Sequence, residues 1–546
     1  MKKTKKVLAV LLAALLAVTG LTACSGGDGS STTGSAGATS GETGGVYDTT
    51  ITVAFTTAWD SLMPYASASG SMYTKELVSY IYDRLAFVSD GGTKLEPRAA
   101  ESWESADDGY SIIFHLNPDC KWHDGEPVTA EDWVWTFEMF TDPNAAANGI
   151  TCDAGREIAG TDDTGARVEG ETFGAEAVND TTLKLTFKSL WTPEDFLAKY
   201  CRDISVLPKH LLEDIPIEEM VSDDFWSAPI GSGPCIFESE TIGSEMYLKA
   251  NRDYQFPVNG FGTLKCVVMS ASNTLQAEIS GDIDLISLGN SVSVADSEVA
   301  KASGIEIGTN ETGTSFTEMI LNNESMDTNL RLAVYYALDR EQGAEIATQG
   351  LGYVVDSSVL PFSDYCNTEL SRDRDVEKAK EYLAQSDYDG RKLKFAVGSS
   401  RAELAAYFQQ NLAEAGINCE IINVDVATMF SGLMDGTYDM GISGHTGSAY
   451  PLWFAYTVMA SSFGNTYYRV SDPTYEEIYN QIVVETDDTK RRELINEFQQ
   501  YIFDNAPWIP LWFANSMYMV SPRVSGVDYN SGSFCNDNVW EWVKAE

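Results

Sequence analysis

Hydrophobic and polar residues alternate along this chain with two periods, one typical of strands and one typical of helices. Residues 51–55 (ITVAF) and residues 110–117 form apolar runs that predict strands. Residues 72–85 carry apolar side chains four positions apart and predict a helix. The two periods together predict a mixed α/β protein.

The predicted helices begin at capping residues. Thr129 precedes the helical segment Ala130–Phe140, and an aspartate stands at the third position of that segment, as in a capping box. Asp327 precedes a second segment with an apolar stripe, 329–341, and residues 376–383 repeat its spacing. We expect the Trp and Phe side chains of the first segment to pack in the core.

From Arg401 onward the helical and strand patterns alternate. A helical segment ends at Gly416, which predicts a left-handed stop. A strand at 417–424, a helix at 425–436 and a further strand at 438–443 follow. This alternation predicts a sheet covered by helices, and ligands of open α/β sheets bind beyond the strand ends.

The first 45 residues have a different pattern, typical of an exported and anchored protein. Four lysines precede the apolar run 7–18, which is too short to span a bilayer core of ~30 Å comfortably, so residues 1–23 are predicted to be a signal peptide. The sequence LTAC that ends at Cys24 resembles the bacterial lipobox, which implies a lipid on this cysteine. Residues 24–45, rich in Gly, Ser and Thr, would form a flexible tether. An ordinary secretory signal with a chance cysteine is the alternative.

Length and charge limit the number of domains and the kinds of partner that this chain is expected to have. The 546 residues exceed one typical domain, so two or three domains are expected after the leader and tether. A hydrophobic content of 44% describes a folded soluble chain. With 81 acidic and 36 basic residues, the net charge is −45, which argues against binding to nucleic acid or to anionic membranes.

The cysteines and histidines give no metal or catalytic signature. The nine cysteines include no CxxC pair, and export leaves both disulfides and buried free thiols open. The four histidines are scattered, so no metal site and no cofactor are expected. The chain contains no phosphate loop, no GxSxG motif and no HExxH motif. The HDGE sequence at 123–126 is interpreted as a turn.

One long segment carries a specific resemblance. The sequence LEPRAAESWESADDGYSIIFHLNPDCKWHDGEPVTAEDWVWTF, residues 95–137, is similar to the signature of the family 5 extracellular solute-binding proteins, the peptide and nickel receptors of ABC importers. Further matches are GSGP at 231–234, NRDY at 251–254, GDID at 281–284 and APWIPL at 506–511. The resemblance extends from about residue 50 to the C-terminus.

This resemblance implies a bilobed periplasmic-binding-protein-like fold of the cluster C type, with two α/β lobes and an inserted subdomain. Lobe I would comprise residues 46–78, 195–288 and 511–546, the insertion 79–194, and lobe II 289–510. The lobes would close on a ligand and present it to the transmembrane subunits of an ABC permease. The resemblance implies no catalytic step, and we expect a monomer held at the outer face of the bacterial cell membrane.

The candidate ligand-binding residues also follow from the resemblance. Peptide-binding relatives carry an Asp that pairs with the peptide ammonium shortly after the strand corresponding to 438–442, but this chain has no Asp between Gly441 and Phe454. The candidates in this loop are His445, Thr446, Tyr450, Trp453 and Phe454. Elsewhere in the chain they are Trp59, Tyr65, Tyr73, Ser315, Phe316 and Trp512.

Oligopeptide is the modal ligand of the family, and several alternatives stay open. The same receptor role is conceivable for an oligosaccharide stacked on Trp and Tyr, or for a nickel or other metal chelate near His445. Proteins of other classes are also conceivable: a secreted hydrolase using Asp124 or Glu126, and a cell-surface adhesin. The hydrolase predicts substrate turnover, the adhesin predicts partner binding without closure, and the receptor predicts saturable binding without product.

Overall fold

The computed structural model describes residues 49–67, 71–89, 94–287, 292–357, 359–446, 467–485, 487–529 and 538–545. The described residues belong to the second of two compact units, Gly45–Glu546. The predicted signal peptide, Cys24 and the tether lie outside them, as do the candidate residues Tyr450, Trp453 and Phe454.

The strands of the described chain fall into three larger sheets and two short pairs. In chain order they are β1 (Thr50–Phe55), β2 (Ala86–Ser89), β3 (Lys94–Pro97), β4 (Ala100–Ser105), β5 (Ser111–Leu116), β6 (Ala175–Asn179), β7 (Thr182–Thr186), β8 (Cys235–Thr241), β9 (Glu245–Ala250), β10 (Thr263–Val268), β11 (Leu285–Ile286), β12 (Glu306–Leu321), β13 (Gly352–Val354), β14 (Leu393–Val397), β15 (Cys419–Asn423), β16 (Met440–Thr446), β17 (Trp508–Val520), β18 (Val524–Ser525) and β19 (Val543–Lys544).

The helices lie between these strands and cover the sheets. They are α1 (Met72–Ile81), α2 (Ala130–Phe140), α3 (Pro193–Tyr200), α4 (Lys209–Leu212), α5 (Ile217–Met220), α6 (Ala271–Ser280), α7 (Val294–Ala302), α8 (Thr328–Ala337), α9 (Arg340–Thr348), α10 (Val376–Gln385), α11 (Ala402–Glu414), α12 (Val426–Met434), α13 (Pro473–Val484) and α14 (Asp488–Asn505). The sequence prediction of a mixed α/β protein is confirmed.

The first large sheet has five strands in the order β11-β1-β10-β9-β8. Strand β1 runs parallel to β10 and to β11, so the carboxyl ends of these three strands lie at one edge. Strands β9 and β8 continue the sheet in antiparallel pairing. Strands β4 to β7 form a separate antiparallel sheet of order β4-β5-β7-β6.

The second large sheet has six strands in the order β13-β17-β12-β16-β14-β15. Strand β14 runs parallel to both β15 and β16, so the carboxyl ends of these three strands share an edge. The long strands β12 and β17 pair antiparallel, and their ladder extends past this edge, from Ser315 opposite Ala514 to Glu306 opposite Val520. The lobe boundary expected at residue 511 falls inside β17.

Successive side chains of β12 alternate between the two faces of the six-stranded sheet, as the strand period requires. Met319 and Leu321 are fully buried in the core cluster that includes residues of α8 and α11. Phe316 and Ile320 belong to the cluster on the other face, which also contains residues of α13 and α14. The central strands of this sheet are therefore buried on both faces, which explains their nearly continuous apolar sequences.

Helix α2 has the bounds that the sequence pattern gives, and its capping box is present. The Asp132 carboxylate accepts hydrogen bonds from the Thr129 backbone N–H at 2.8 Å and from the Thr129 hydroxyl at 3.0 Å. Trp133 and Phe137 are fully buried, which confirms the expected packing role of this helix.

Two predicted helices are shorter than the sequence pattern suggests. Helix α1 ends at Ile81 and does not continue to 85, because the chain turns at Tyr82 into an extended conformation and buries Asp83 against Arg98. The segment 329–341 is interrupted at Leu338, where the backbone is extended with ψ 130°. A separate helix, α9, starts after this interruption.

Cysteines that the structure describes lie mostly in apolar surroundings. Free thiols are present at Cys120, Cys152, Cys235, Cys266, Cys366 and Cys419. Burial raises the pKa of the Cys419 thiol to about 11. The free-thiol alternative is therefore confirmed for these six residues.

Candidate functional site

A cavity of about 540 Å³ lies beside the carboxyl ends of β14 and β16. Strands β12 and β17 contribute Ser315, Thr317 and Trp512 to its walls, and the turn before α11 contributes Arg401. The start of α7 and the end of α9 complete it. Open α/β sheets bind ligands beyond the carboxyl ends of parallel strands, so this cavity is the candidate functional site.

The short turn between β14 and α11 places Arg401 in this cavity. Residues Ser399–Arg401 form one turn of 3-10 helix after Gly398, and Arg401 is the N-cap residue of α11. Its Nη1 is buried and has no hydrogen-bond partner in the part of the chain that the structure describes. Burial lowers the pKa of Arg401, and the neighbouring Glu318 carboxylate opposes that shift. The guanidinium therefore keeps one buried N–H donor that no group of the described chain satisfies.

Glu318 provides a buried negative charge on β12. Its side chain is 0% exposed, and its Oε1 lies 2.8 Å from Nε2 of His445. The Tyr468 hydroxyl donates a hydrogen bond to the same Oε1. Oε2 has no partner among the described residues. A buried carboxylate is stable only when opposite charges or donors surround it, and His445, Tyr468 and Arg401 supply them here.

The candidates Trp59 and Tyr73 lie together at the corresponding edge of the five-stranded sheet. Both rings pack edge-to-face on Phe55, the last residue of β1, with centroid distances of 6.0 and 6.3 Å. The Trp59 indole N–H donates to Glu240 Oε1 at 2.6 Å, and the Tyr73 hydroxyl lies 3.0 Å from Thr56 Oγ1. Each large sheet thus carries candidate residues at the carboxyl edge of its parallel strands.

Tyr65 has a different environment. Its side chain is 1% exposed, and its ring centroid lies 5.0 Å from that of Phe140. The hydroxyl donates to the Ser205 carbonyl at 2.6 Å and accepts from the Ser205 N–H at 2.9 Å. Burial raises the pKa of Tyr65 well above its usual value. These contacts give Tyr65 a packing role within the first part of the chain.

The remaining described candidates lie on or near β12. Ser315 and Trp512 line the cavity, although Trp512 is 1% exposed and its ring centroid is 6.5 Å from that of Phe408. Phe316 points to the opposite face, where its ring lies 4.9 Å from Phe513. The backbone of Thr446 pairs with Ser315, but its side chain is outside the description.

Arg401, Glu318 and Tyr468 were not among the candidates predicted from the sequence. Two weak signals were present: Arg401 begins the predicted helix that ends at Gly416, and Glu318 is a charged residue next to the apolar residues Met319–Leu321 of β12. Tyr468 gives no such signal, because it joins Glu318 only through tertiary packing.

The possible hydrolase residues lie in a surface turn. Gly125 has φ 97°, in the left-handed region, and Lys121 bridges to Pro127, which confirms the predicted turn. Asp124 Oδ2 lies 2.9 Å from His210 Nε2. Over the described ranges, no group of three or more His, Cys, Asp or Glu side chains has the arrangement of a metal site. None of the helices within those ranges has the length and apolar character needed to cross a membrane.

Two sheets covered by helices carry candidate residues at the carboxyl edges of their parallel strands. This is the fold of the bilobed periplasmic binding proteins. The model of the middle region of the bacterial extracellular solute-binding proteins, family 5, matches residues 94–467. The chain therefore belongs to this family.

Individual relatives agree with this assignment. The chain is 26% identical to heme-binding protein A of Haemophilus influenzae, with 82% of this chain and 84% of the relative covered. It is 24% identical to the periplasmic oligopeptide-binding protein OppA of Salmonella typhimurium, with 80% and 83% covered. The crystal structure of the ABC transporter substrate-binding protein CtaP from Listeria monocytogenes superposes with a TM-score of 0.76 at 21% identity, covering 91% of this chain and 100% of that one.

Family membership settles the class of activity. Proteins of family 5 are extracytoplasmic receptors for transport and are not enzymes, so the hydrolase alternative is excluded. The two relatives are named for heme and oligopeptide, and the family alone leaves the ligand open.

Proposed function

We propose that this protein is the lipid-anchored substrate-binding component of an ABC importer, that it captures an oligopeptide between two lobes, and that it delivers the peptide to a membrane permease. The observation that carries the choice of peptide is the Arg401 guanidinium in the cavity, with a buried donor that has no partner in the described chain. A carboxylate such as that of a peptide binds a guanidinium through strong, charge-assisted hydrogen bonds.

The rest of the cavity suits a peptide backbone. Ser315 and Thr317 offer hydroxyl groups, and Trp512 offers an apolar wall. A peptide needs donors and acceptors along its length as well as apolar contact, and pockets of this size with a few convergent polar groups are typical ligand sites. Because the whole chain carries a net charge of −45, a local cation is needed to attract an anionic group.

The ammonium end of the peptide has no equivalent of the relatives' aspartate, although the carboxylate of Glu403 lines the described cavity. No Asp stands between Gly441 and Phe454, and the Glu318 Oε1 is already shared by His445 and Tyr468. We therefore expect thermal shifts to differ little between peptides with free and with acetylated N-termini. A strong preference for the free amine would mean that another carboxylate binds it.

We further propose that the lobes divide near the boundaries expected from the sequence, with lobe I at 46–78, 195–288 and 511–546, the insertion at 79–194, and lobe II at 289–510. The sheets support this division, because all strands of the five-stranded sheet fall within the ranges proposed for lobe I, and β12 to β16 of the six-stranded sheet fall within that proposed for lobe II. Strand β17 crosses the proposed boundary, since its residues 512–520 pair with β12.

The lipid anchor is proposed for Cys24. We expect mass spectrometry of the N-terminal peptide from the native host to show an acylated Cys24 and no residues before it. The Cys24→Ala variant should be released from the membrane fraction, while Cys419→Ala should stay with it. An unmodified cysteine in the mature protein would contradict the anchor.

The experiment that tests the ligand is mass spectrometry of the small molecules released when protein purified from its native host is denatured. We expect peptides. Carbohydrate would favour the oligosaccharide alternative, and a metal chelate would favour the nickel-type alternative. The contact of His445 Nε2 with Glu318 already engages the histidine that a chelate would need.

A further inference from the structure

The Arg401 guanidinium lies directly over the backbone of β16. A Cβ atom on Gly444 would be 2.8 Å from Arg401 Nη2, closer than real Cβ contacts allow. Gly444 is paired with Thr317 of β12, and directly opposite residues project to the same face of a sheet. Thr317 lines the cavity, so the space above Gly444 belongs to the cavity side.

The backbone of β16 does not itself require glycine at this position. Gly444 is not among the residues with positive φ, so an alanine there would adopt the same backbone conformation without strain. The steric conflict of an added side chain is with the Arg401 guanidinium, since the next neighbour, the Phe316 carbonyl oxygen, is at 3.5 Å. An added side chain at 444 would therefore require the end of the flexible Arg401 side chain to move, whereas glycine leaves it in place.

Glu318 completes the arrangement. It faces the opposite side of β12 from Thr317, yet its charge is close enough to favour the ionised form of Arg401. The guanidinium is thus confined by the β16 backbone and attracted by a buried carboxylate, while Nη1 remains without a partner in the described residues. Such confinement fixes the direction from which a ligand oxygen can approach.

We propose that Gly444 is a specificity-determining position, because its missing side chain lets Arg401 lie across β16 and present its guanidinium to the carboxylate of a peptide. The inference rests on the proposed peptide-binding function. Gly444 acts through Arg401 and is a positioning residue. Any larger residue at 444 would displace the guanidinium and remove the preference for a free carboxylate.

The test uses the full chain in detergent and a tetrapeptide library in two forms, with free carboxyl ends and with C-terminal amides. The two forms are mixed in equal amounts, and mass spectrometry measures the ratio that the protein retains. We expect the wild type to prefer the acids by roughly tenfold or more, as for a charge-assisted hydrogen bond. Gly444→Ala should bring the ratio close to one.

Three variants separate positioning from general damage. Gly398→Ala is the matched control, because it precedes the same turn, has φ −70° and has no atom within 4 Å of the added Cβ. It should keep the wild-type ratio. Arg401→Gln should have a ratio near one, and adding Gly444→Ala to it should change nothing more. A further loss in the double variant, or a wild-type ratio in Gly444→Ala, would overturn the proposal.

Melting temperatures and a crystal structure test the positioning role of Gly444 if the binding ratios do not. Because the conflict is with the guanidinium alone, any loss of melting temperature in Gly444→Ala should vanish when Arg401→Ala is added, and a loss that persists contradicts the inference. A crystal structure of Gly444→Ala should show the guanidinium displaced, and an unmoved guanidinium would overturn the positioning role. If the wild type retains no peptide at all, the proposed function fails, while the crystal structure still decides whether Gly444 positions Arg401.

Discussion

At the scale of single residues, charges are concentrated where the sheets end. Arg401 lines the cavity and Glu318 lies on the opposite face of β12, and each has one buried polar atom without a partner in the described chain. Such atoms cost free energy unless a ligand or water satisfies them. The unsatisfied donor of Arg401 therefore suits a ligand group with oxygen acceptors.

Replacing Arg401 by Gln tests whether its guanidinium contributes to ligand binding. We expect Arg401→Gln to weaken the binding of free-carboxyl peptides by about 1.5–3 kcal/mol, the usual contribution of a hydrogen bond to a charged group. Isothermal titration calorimetry with the peptides released from native protein measures the change. Arg492→Gln is the control, because Arg492 forms an exposed i,i+4 pair with Asp488. Equal affinity of both variants would contradict the role of Arg401.

A second residue, Glu278 on α6, is 0% exposed, and neither of its carboxylate oxygens has a hydrogen-bond partner among the described residues. Burial raises the pKa of Glu278 to about 8, with Arg523 opposing and Asp284 reinforcing the shift. The folded state therefore keeps a proton that the unfolded state loses above its ordinary pKa of 4.5. Between these two values, stability must fall as pH rises.

The variant Glu278→Gln should remove this dependence. We expect the wild-type free energy of unfolding to decline between pH 5 and pH 8 by up to about 1 kcal/mol per pH unit from this group. In Glu278→Gln the decline should be smaller by that amount, so the variant gains most at pH 8. Urea titrations at four pH values measure it. Identical pH slopes for the two proteins would show that the carboxyl is ionised in the folded state.

At the scale of elements, the sequence pattern predicts a helix or strand correctly where the residues that stabilise it lie close together in the chain. Helix α2 follows its pattern because the capping aspartate and the buried Trp and Phe side chains lie within eleven residues. Helices α1 and α8 end earlier than their apolar spacing suggests, because buried pairing and a backbone break intervene. Tertiary contacts thus overrule the periodic pattern at element ends.

The capping aspartate of α2 allows a direct measurement. Asp132 accepts from the Thr129 N–H and from the Lys209 N–H at 3.1 Å, and it is 5% exposed. We expect Asp132→Ala to destabilise the protein by about 2 kcal/mol or more, since it leaves these donors unsatisfied. Glu131→Ala in the same turn removes only a surface pair with Lys209 and should cost less than about 1 kcal/mol. Chemical denaturation compares the two, and equal losses would contradict the cap.

At the scale of the whole molecule, the fold was predictable and the site only in part. The motif at 95–137 led to the correct family and fold. Ser315 and Trp512, which were predicted to contact ligand, line the cavity, but the pairing of Glu318 with His445 depends on the register between β12 and β16, more than 120 residues apart in the chain. No local pattern encodes such a register, so a single sequence could not reveal this charge cluster.

The proposed function depends on the closure of two lobes around a peptide. Ligand contacts with both lobes favour a closed state, so closure depends on binding. Small-angle X-ray scattering of the full chain, stripped of ligand and then reloaded with the peptides released from native protein, tests this most directly. We expect a smaller radius of gyration on reloading, saturating at one peptide per protein with the peptide recovered intact. An unchanged radius at saturation, or recovery of a cleaved peptide, would contradict the proposed function.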